Sequence, residues 1–151
     1  MIEIKPTKDL QEINFVLNAP EVKRWICDDF TKNEITQRNL DFLYLKVLIN
    51  CDLVGLLAGV PRGSIELEAH TAYLKKAWGN TIEPTYLAID WVFKNTNCEK
   101  ITGRTPVDNK RALAFNSRLG FKLEGINRKS IYRNGKLIDQ LYYGLEKSSW
   151  V

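Results

Sequence analysis

The sequence is poor in histidine and cysteine and contains no long apolar run, and each shortage excludes a class of protein. One histidine, His70, cannot build a multi-histidine metal site. Three cysteines (Cys27, Cys51 and Cys98) without CxxC spacing argue against a zinc site or a disulfide scaffold. No run approaches the roughly 20 apolar residues of a membrane span, and no N-terminal run resembles a signal peptide. We therefore expect a metal-free protein of the reducing cytoplasm, with no membrane partner.

The chain also has only a small excess of positive over negative charge. The net charge is +4, from 22 Lys and Arg against 18 Asp and Glu, and the basic residues are spread along the chain. A nucleic-acid-binding module would cluster them with exposed aromatics, so no nucleic-acid partner is expected. The bias suits an anionic small ligand, and it equally suits an ordinary solvated surface. With 151 residues, 44% of them hydrophobic, and no linker or repeat, the chain is predicted to form a single domain over residues 1–151.

Periodicity predicts seven strands and four helices. Alternating apolar side chains predict strands at Ile2–Lys5, Leu43–Ile49, Leu53–Val60, Ser64–Leu74, Lys100–Thr105, Phe121–Arg133 and Lys136–Glu146. Helical spacing predicts helices from Pro6-Thr7, with Thr7 as N-cap and Asp9 in the first turn, from Pro20 to about Phe30, from about Ile82 to Asn95, and from Asp108 to Gly120. A helical crossover joins the fourth and fifth strands, so the sequence predicts a mixed α/β sheet with at least one parallel connection.

A glycine-containing loop between the fourth strand and the third helix is a candidate anion site. It runs Lys75-Lys76-Ala77-Trp78-Gly79-Asn80-Thr81. Unpaired backbone N–H groups at a helix start, together with the positive end of the helix dipole, bind phosphate readily, and the lysines add charge. An ordinary strand-to-helix turn has the same pattern, so on this loop alone both interpretations stay open.

A second segment carries the most specific pattern in the chain. Residues 108–125 read DNKRALAFNSRLGFKLEG. This segment resembles the signature of the GNAT acyltransferases, with Asn109, Ala112, Phe115, Arg118, Gly120-Phe121 and Glu124-Gly125 in register. The pattern Lys76-x-x-Gly79-x-Thr81 is a loose version of that family's pyrophosphate loop. Asp139-x-x-x-Tyr143-x-Leu145 is similar to the closing strand of the branch that acetylates protein N-terminal and related amines. The resemblance covers roughly residues 43–146.

The resemblance implies a fold and a co-substrate. The fold would be α/β, with a mostly antiparallel sheet of six or seven strands, about four flanking helices and a parallel central pair, Ser64–Leu74 and Lys100–Thr105, that splays apart. The pantetheine arm of acetyl-CoA would lie in the gap, and no metal is implied. Contacts to the co-substrate are implied for Lys75, Lys76, Ala77, Trp78, Gly79, Asn80, Thr81, Asn109, Arg111 and Asn116. For the charged residues, with Lys110 added, plain solvation is an equal alternative.

The implied activity is transfer of an acetyl group from acetyl-CoA to a primary amine, by direct attack in a ternary complex. The amine must lose a proton, and Glu66, Glu68 and His70 alternate along one face of the fourth strand, roughly 7 Å apart. A β-bulge in this strand would change which residues share that face. Histidine titrates near neutrality, so it suits this work. We predict His70 and Glu68 as the candidate bases, without separating them.

The sequence departs from the family where relatives keep an acid. Asn116 stands where many members have a tyrosine, and Ala112 stands where the N-terminal-amine branch often has a serine. Asn116 can hydrogen-bond the sulfur or the pantetheine, and Ser117, Tyr142 or water remain as substitutes for the acid. The alternative function is a GNAT-like binding or accessory protein that has lost the chemistry, as in some virus-encoded members.

The acceptor has no decodable signature. A peptide N-terminus and a small amine both fit the resemblance. Trp25, Asp28 and Asp29 could line a pocket for a cationic substrate, although a packed tryptophan with solvated acids is the favoured explanation. Homodimers are common in the family, and the sequence carries no signature of one.

Overall fold

A computed structural model describes residues 1–27, 29 and 41–150 of the chain. The strands are β1 (Ile2–Pro6), β2 (Leu43–Ile49), β3 (Asp52–Pro61), β4 (Glu66–Tyr73), β5 (Lys100–Pro106), β6 (Lys122–Arg133) and β7 (Lys136–Glu146). The α-helices among these residues are α1 (Leu10–Leu17), α2 (Pro20–Ile26), α3 (Ile82–Asn95) and α4 (Lys110–Arg118). Short 3₁₀ turns lie at Lys75–Ala77 and Lys147–Ser149. The order of elements is the predicted one.

The N-termini of two helices differ from the prediction. Asp9, not Thr7, is the N-cap of α1, because its Oδ1 accepts from the N–H groups of Gln11 and Glu12. Thr7 instead donates from Oγ1 to the Glu12 carboxylate at 3.1 Å. Helix α4 begins after Asn109 rather than at Asp108. Helix α2 ends at Ile26, and Phe30, the predicted end, lies outside the described residues.

One seven-stranded sheet organises the molecule, in the order β1-β2-β3-β4-β5-β7-β6. Every neighbouring pair is antiparallel except β4 and β5, which run parallel. The β3–β4 register is continuous from Gly55↔Tyr73 to Pro61↔Leu67, without a bulge. The side chains of β4 therefore alternate as predicted, with Glu66, Glu68 and His70 on one face. The predicted mixed sheet with a parallel central pair is confirmed.

The parallel pair is short. Strands β4 and β5 pair only at Glu66↔Lys100, Leu67↔Ile101 and Glu68↔Thr102. Beyond these positions each strand stays paired with its outer neighbour, β3 or β7, while the two strands separate from one another. The sheet is thus open at its centre, toward the end of β4 that leads into the Lys75–Thr81 loop.

Apolar clusters cover both faces of the sheet. Helix α3 packs on one face through Ala88, Ile89, Val92 and Phe93, against side chains that include Leu45 and Ile101. Helices α1 and α2 pack on the other face through Ile13, Val16 and Val22, with Tyr44 and Leu56. Each face of the sheet is therefore covered by its own helices. No helix within the described residues is long and apolar enough to cross a membrane.

Candidate active site

A cavity of about 1330 Å³ lies where β4 and β5 separate. Its walls come from both strands, the loop before α3, helix α4 and the α2 side of the sheet. Lining residues from these elements include His70, Arg104, Gly79, Asn109 and Trp25. The opening in the sheet therefore joins the predicted phosphate loop to the polar face of β4 in one continuous space.

The start of α3 presents unpaired backbone donors to this cavity. Gly79, Asn80, Thr81, Ile82 and Glu83 line it, and the Thr81 N-cap makes no side-chain capping bond. Trp78 and Asn80 donate their N–H groups within the loop, to Lys75 and Ala77 carbonyls. The N–H groups of Gly79, Thr81, Ile82 and Glu83 have no acceptor among the residues that the structure describes. Such a group of donors at the positive end of a helix favours an anion.

A hydrogen-bonded chain fixes the first turn of α3. The Thr85 hydroxyl donates to the Thr81 carbonyl at 2.7 Å and lies 2.6 Å from the Tyr73 hydroxyl at the end of β4. Burial raises the pKa of Tyr73 to about 12, so the phenol keeps its proton. Because the Thr85 hydroxyl proton is directed to Thr81, the Tyr73 hydroxyl donates the hydrogen bond to Thr85 Oγ1. The donors at the start of α3 are therefore held against the strand that borders the opening.

Three residues of the predicted loop make other contacts. The Lys75 N–H donates to Glu21 Oε2 at 2.8 Å, and Lys76 Nζ donates to Asp52 Oδ2 at 2.7 Å. Ala77 is buried in an apolar cluster with β2 and β3. None of the three is among the described residues that line the cavity, whereas Trp78, Gly79, Asn80 and Thr81 all line it.

Trp78 and Arg111 form a pair at the edge of the loop. The Arg111 guanidinium carbon lies 4.2 Å from the centre of the Trp78 ring, a cation–π contact between the loop and α4. Both residues line the cavity, and Trp78 is 41% exposed. Stacking on the ring holds the guanidinium beside the α3 donors, which adds a positive charge to the anion site.

Two asparagines of α4 reach the cavity. The Asn109 side-chain oxygen accepts from the Ala112 N–H at 3.2 Å, so this residue caps α4 while its side-chain amide nitrogen remains for another partner. The Asn116 amide nitrogen donates to Thr105 Oγ1 on β5 at 2.9 Å. Asn116 therefore ties α4 to the strand that borders the opening.

A buried carboxylate organises the polar face of β4. Glu68 Oε1 accepts from Arg104 Nε and Oε2 from Arg62 Nε, each at 2.6 Å, and His70 Nε2 lies 3.2 Å from Oε1. The hydrogen bond from His70, followed by those from Arg104 and Arg62, lowers the pKa of Glu68 to about 2, against the opposing effect of burial. A carboxylate of this kind stays ionised and holds protons poorly. Glu68 is therefore a weak base, and it holds the side chains that donate to it in place.

His70 occupies a different environment. Its side chain is 46% exposed and lines the cavity, whereas the Glu68 side chain is 7% exposed. A carboxylate can only accept, so the nitrogen facing it, Nε2, carries the proton. The other nitrogen, Nδ1, then presents its lone pair away from Glu68. The geometry separates the two predicted candidates into a histidine that can accept a proton and a glutamate that orients it.

The chain has counterparts of the same fold among known proteins. Residues 79–142 match the family model of the acetyltransferase (GNAT) domain. A spermidine N-acetyltransferase from Vibrio cholerae, solved with CoA and spermine, is 18% identical with a TM-score of 0.81, over 99% of this chain and 97% of that one. A ribosomal-protein-S5-alanine acetyltransferase from Vibrio fischeri is 17% identical with a TM-score of 0.75, over 99% and 95%. This chain has the GNAT fold. Comparison with curated proteins gives no match.

The GNAT fold confirms the predicted architecture, and the family match bears out the prediction of an acetyltransferase enzyme. The comparisons do not show to which branch of the family the chain is nearest, because an enzyme named for a polyamine and one named for a ribosomal protein both share the fold. Asn116 and Ala112, which replace the customary acids of the family, both line the cavity. Of the suggested substitutes, Ser117 donates to the Leu113 carbonyl, and the Tyr142 hydroxyl accepts from Asn127.

Sequence reasoning missed Arg62 and Arg104. Arg62 follows β3 in a segment predicted only as a strand break, and Arg104 is one residue of a predicted strand. The third polar residue of the β4 row, Glu66, accepts from Thr102 Oγ1 at 3.0 Å. Period-2 alternation on both parallel strands would have placed Arg104 on the face of Glu68, had their register been known.

The suggested acceptor pocket near α2 is only partly described. Trp25 lines both the main cavity and a smaller one of about 680 Å³ beside the β6–β7 turn. The Asp29 carboxylate accepts from the N–H groups of Asn134 and Gly135, each at 2.8 Å, so it caps that turn. Asp28 lies outside the described residues.

Proposed function

We propose that this protein transfers an acetyl group from acetyl-CoA to a primary amine, by direct attack in a ternary complex. The observation that carries the proposal is the single cavity at the β4–β5 opening. It brings the backbone donors at the start of α3 into one space with His70. An enzyme that holds a phosphorylated thioester and deprotonates an amine needs its phosphate-binding donors and its base to line the same cavity.

The residues present fit the co-substrate. The unpaired N–H groups from Gly79 to Glu83, with Arg111 on Trp78, would hold its pyrophosphate. The β4–β5 gap is lined by strand backbone, which suits an extended arm that carries amide groups. Asn109 has an amide nitrogen to offer near the start of α4. The contacts predicted for Lys75, Lys76 and Ala77 stay predictions.

Acetyl-CoA supplies an activated acyl group: a bond forms between the amine nitrogen and the carbonyl carbon, and the carbon–sulfur bond breaks to release CoA. His70 Nδ1 accepts the proton that the ammonium form of the acceptor must lose. Glu68 Oε1 lies 3.2 Å from His70 Nε2 and so fixes the tautomer that carries its proton on Nε2. Glu68 thus acts through His70 as a positioning residue.

After the attack the nitrogen gives up its second proton to solvent, and the departing sulfur takes a proton from solvent in this proposal. Asn116 is no acid, and its amide nitrogen is occupied by Thr105. The same observation favours the second candidate function, a protein that binds CoA without turning it over. The two functions differ in one measurable property, the release of free CoA.

A direct assay separates these functions. The full chain is incubated with acetyl-CoA and a panel of primary amines that includes peptides with free N-termini, amino acids and polyamines. Free thiol and acetylated product are both quantified, and CoA binding is measured by calorimetry. We expect CoA binding together with amine-dependent thiol release. Binding without turnover on any amine would support the accessory protein, and absence of binding would contradict the acetyltransferase.

Gly79 offers a test of the phosphate loop. Its φ is +87°, a conformation that costs an L-residue about 1–2 kcal/mol, and a Cβ at this position would meet nothing within 4 Å. Gly79→Ala should therefore relax the loop, turn its N–H groups away from the cavity and raise the Kd for CoA about tenfold, as for the loss of one charge-assisted hydrogen bond. Calorimetry measures the change.

Gly120→Ala is the matched control, because Gly120 has a φ of +92° and equally open surroundings at the end of α4. It should lower stability by a similar amount and leave the Kd for CoA unchanged. An equal change in Kd for both variants would argue that the loop binds no phosphate. The cytoplasmic location and homodimer remain predictions.

A further inference from the structure

Each of the two guanidinium groups beside Glu68 contacts the carboxylate through its Nε atom. Arg62 and Arg104 each reach the carboxylate through Nε, and the Glu68 oxygens are then occupied by these two groups and by His70. The carboxylate therefore leaves the Nη amino groups of both arginines to other partners, and the Tyr142 hydroxyl lies within reach of Arg104. The arginine side chains are 45% and 35% exposed, and both line the main cavity. The buried glutamate thus holds the two guanidinium groups, called the arginine forks below, in a fixed orientation at the cavity wall.

These forks lie next to the proposed base. Arg104 Nε and His70 Nε2 contact the same oxygen, Glu68 Oε1, at 2.6 and 3.2 Å, so the two nitrogens are at most the sum of these distances apart. If the anionic group of a ligand bound an Nη group of Arg104, a ligand atom only a few bonds away from that group could reach the imidazole of His70. The spacing suits a molecule that carries its anionic group and its amine close together.

The charge of the cluster agrees with this spacing. One carboxylate faces two guanidinium groups, which leaves an excess of positive charge. Among the described lining residues the carboxylates are Glu21 and Glu83. Glu21 accepts from the Lys75 N–H, and Glu83 lies in the first turn of α3 on the phosphate side. The described wall around His70 therefore attracts an anion and repels a substrate that carries only positive charges.

We propose that the acceptor is a small amino-carboxylate, such as a free amino acid, whose carboxylate binds Arg62 and Arg104 while its amine faces His70. This inference rests on the proposed function, since it names the substrate class of the same site. Arginine forks bind carboxylates in two parallel hydrogen bonds, which fixes direction as well as position. Glu68 holds the forks, so a single buried residue orients both the base and the carboxylate-binding groups.

A series of matched acceptors tests the proposal on the unmodified protein. Each free amino acid is compared with its carboxamide, which keeps size and amine but removes the charge, and with a polyamine. We expect kcat/KM for the acids to exceed that for the amides by about 10- to 100-fold, as for loss of a charge-assisted pair. Equal or better use of the amides or the polyamine would overturn the inference and leave acetyl transfer standing. Failure of every amine would overturn both.

Variants add a second readout. Arg62→Gln should raise KM for the acids about tenfold, as for the loss of one charge-assisted hydrogen bond, and leave KM for the amides and the Kd for CoA unchanged. Arg118→Gln is the matched control, because Arg118 also lines the cavity but belongs to the end of α4 and is not one of the described residues that contact Glu68. The same loss on acids and amides in Arg62→Gln would show a merely structural role and contradict the proposal.

Discussion

Replacement of His70 by glutamine is expected to lower kcat for acetyl transfer by about 100- to 10,000-fold, the usual contribution of a positioned general base. Glutamine can still donate a hydrogen bond to Glu68, so the polar face of β4 keeps its packing. It cannot take a proton from an ammonium group. The rate should therefore fall while the Kd for CoA and the thermal midpoint stay close to those of the native protein.

A variant on the same face of β4 gives an independent check. Glu66→Gln is the control, because Glu66 lies two residues before Glu68 on the same face and contacts Thr102. We expect it to stay within a few-fold of native activity. A larger loss in Glu66→Gln than in His70→Gln would show that His70 is not the base.

Replacement of Glu68 by glutamine is expected to destabilise the protein by about 3 kcal/mol at neutral pH, since removing one partner of a buried ion pair leaves its charges uncompensated. The partly exposed arginines limit the loss, because they regain water. The same change should lower kcat, since His70 loses the group that fixes its tautomer. Urea denaturation at pH 7 measures the first effect and steady-state kinetics the second.

Acid should weaken the native protein through this residue. The pKa of Glu68 is lowered from 4.5 to about 2 in the folded state, first by His70 and then by Arg104 and Arg62, against burial. Its contribution is thus present above pH 4.5 and is lost as pH falls from 4.5 toward 2, by at most about 3 kcal/mol. The glutamine of the Glu68→Gln variant cannot titrate, so the gap in unfolding free energy between the two proteins should close over that window.

An exposed ion pair provides the control for this prediction. Asp52 accepts from Lys76 at 2.7 Å, but both side chains are half-exposed. Asp52→Asn should cost under about 1 kcal/mol, as surface pairs do. If Glu68→Gln cost no more than Asp52→Asn, Glu68 would not be the anchor of its cluster.

Local patterns were enough to predict the elements and a mixed α/β sheet, whereas the parallel central pair that splays apart was implied by the family resemblance of residues 108–125. The strands follow from period-2 alternation, and the order of elements follows from the strands. Gly120 was predicted as the end of α4 because capping chemistry is read within a few residues, whereas the start was predicted at Asp108 and the N-cap is Asn109. The predicted N-cap of α1 was wrong because Thr7 and Asp9 both suit the role, and only the chain direction after Pro6 decides between them.

The site was predicted less completely, because some of its residues come from positions that are far apart in the sequence. His70 and Glu68 share a strand, so their proximity was evident. Arg62 and Arg104 reach Glu68 from the end of β3 and from β5, and the register of a parallel pair is set by packing rather than by neighbouring residues. The contacts predicted for Lys75 and Lys76 stay predictions: the Lys75 backbone N–H donates to Glu21, and the Lys76 side chain donates to Asp52.

The shortness of the β4–β5 pairing has a mechanical consequence. Three residue pairs join a β1-β2-β3-β4 half of the sheet to a β5-β7-β6 half, and beyond them the backbone groups of β4 and β5 that face the opening are not paired with each other. A ligand with amide groups that entered this gap would pair with both strands, as an added strand does. Its binding should then stabilise the joined sheet, so the occupied protein is expected to unfold less readily than the empty one.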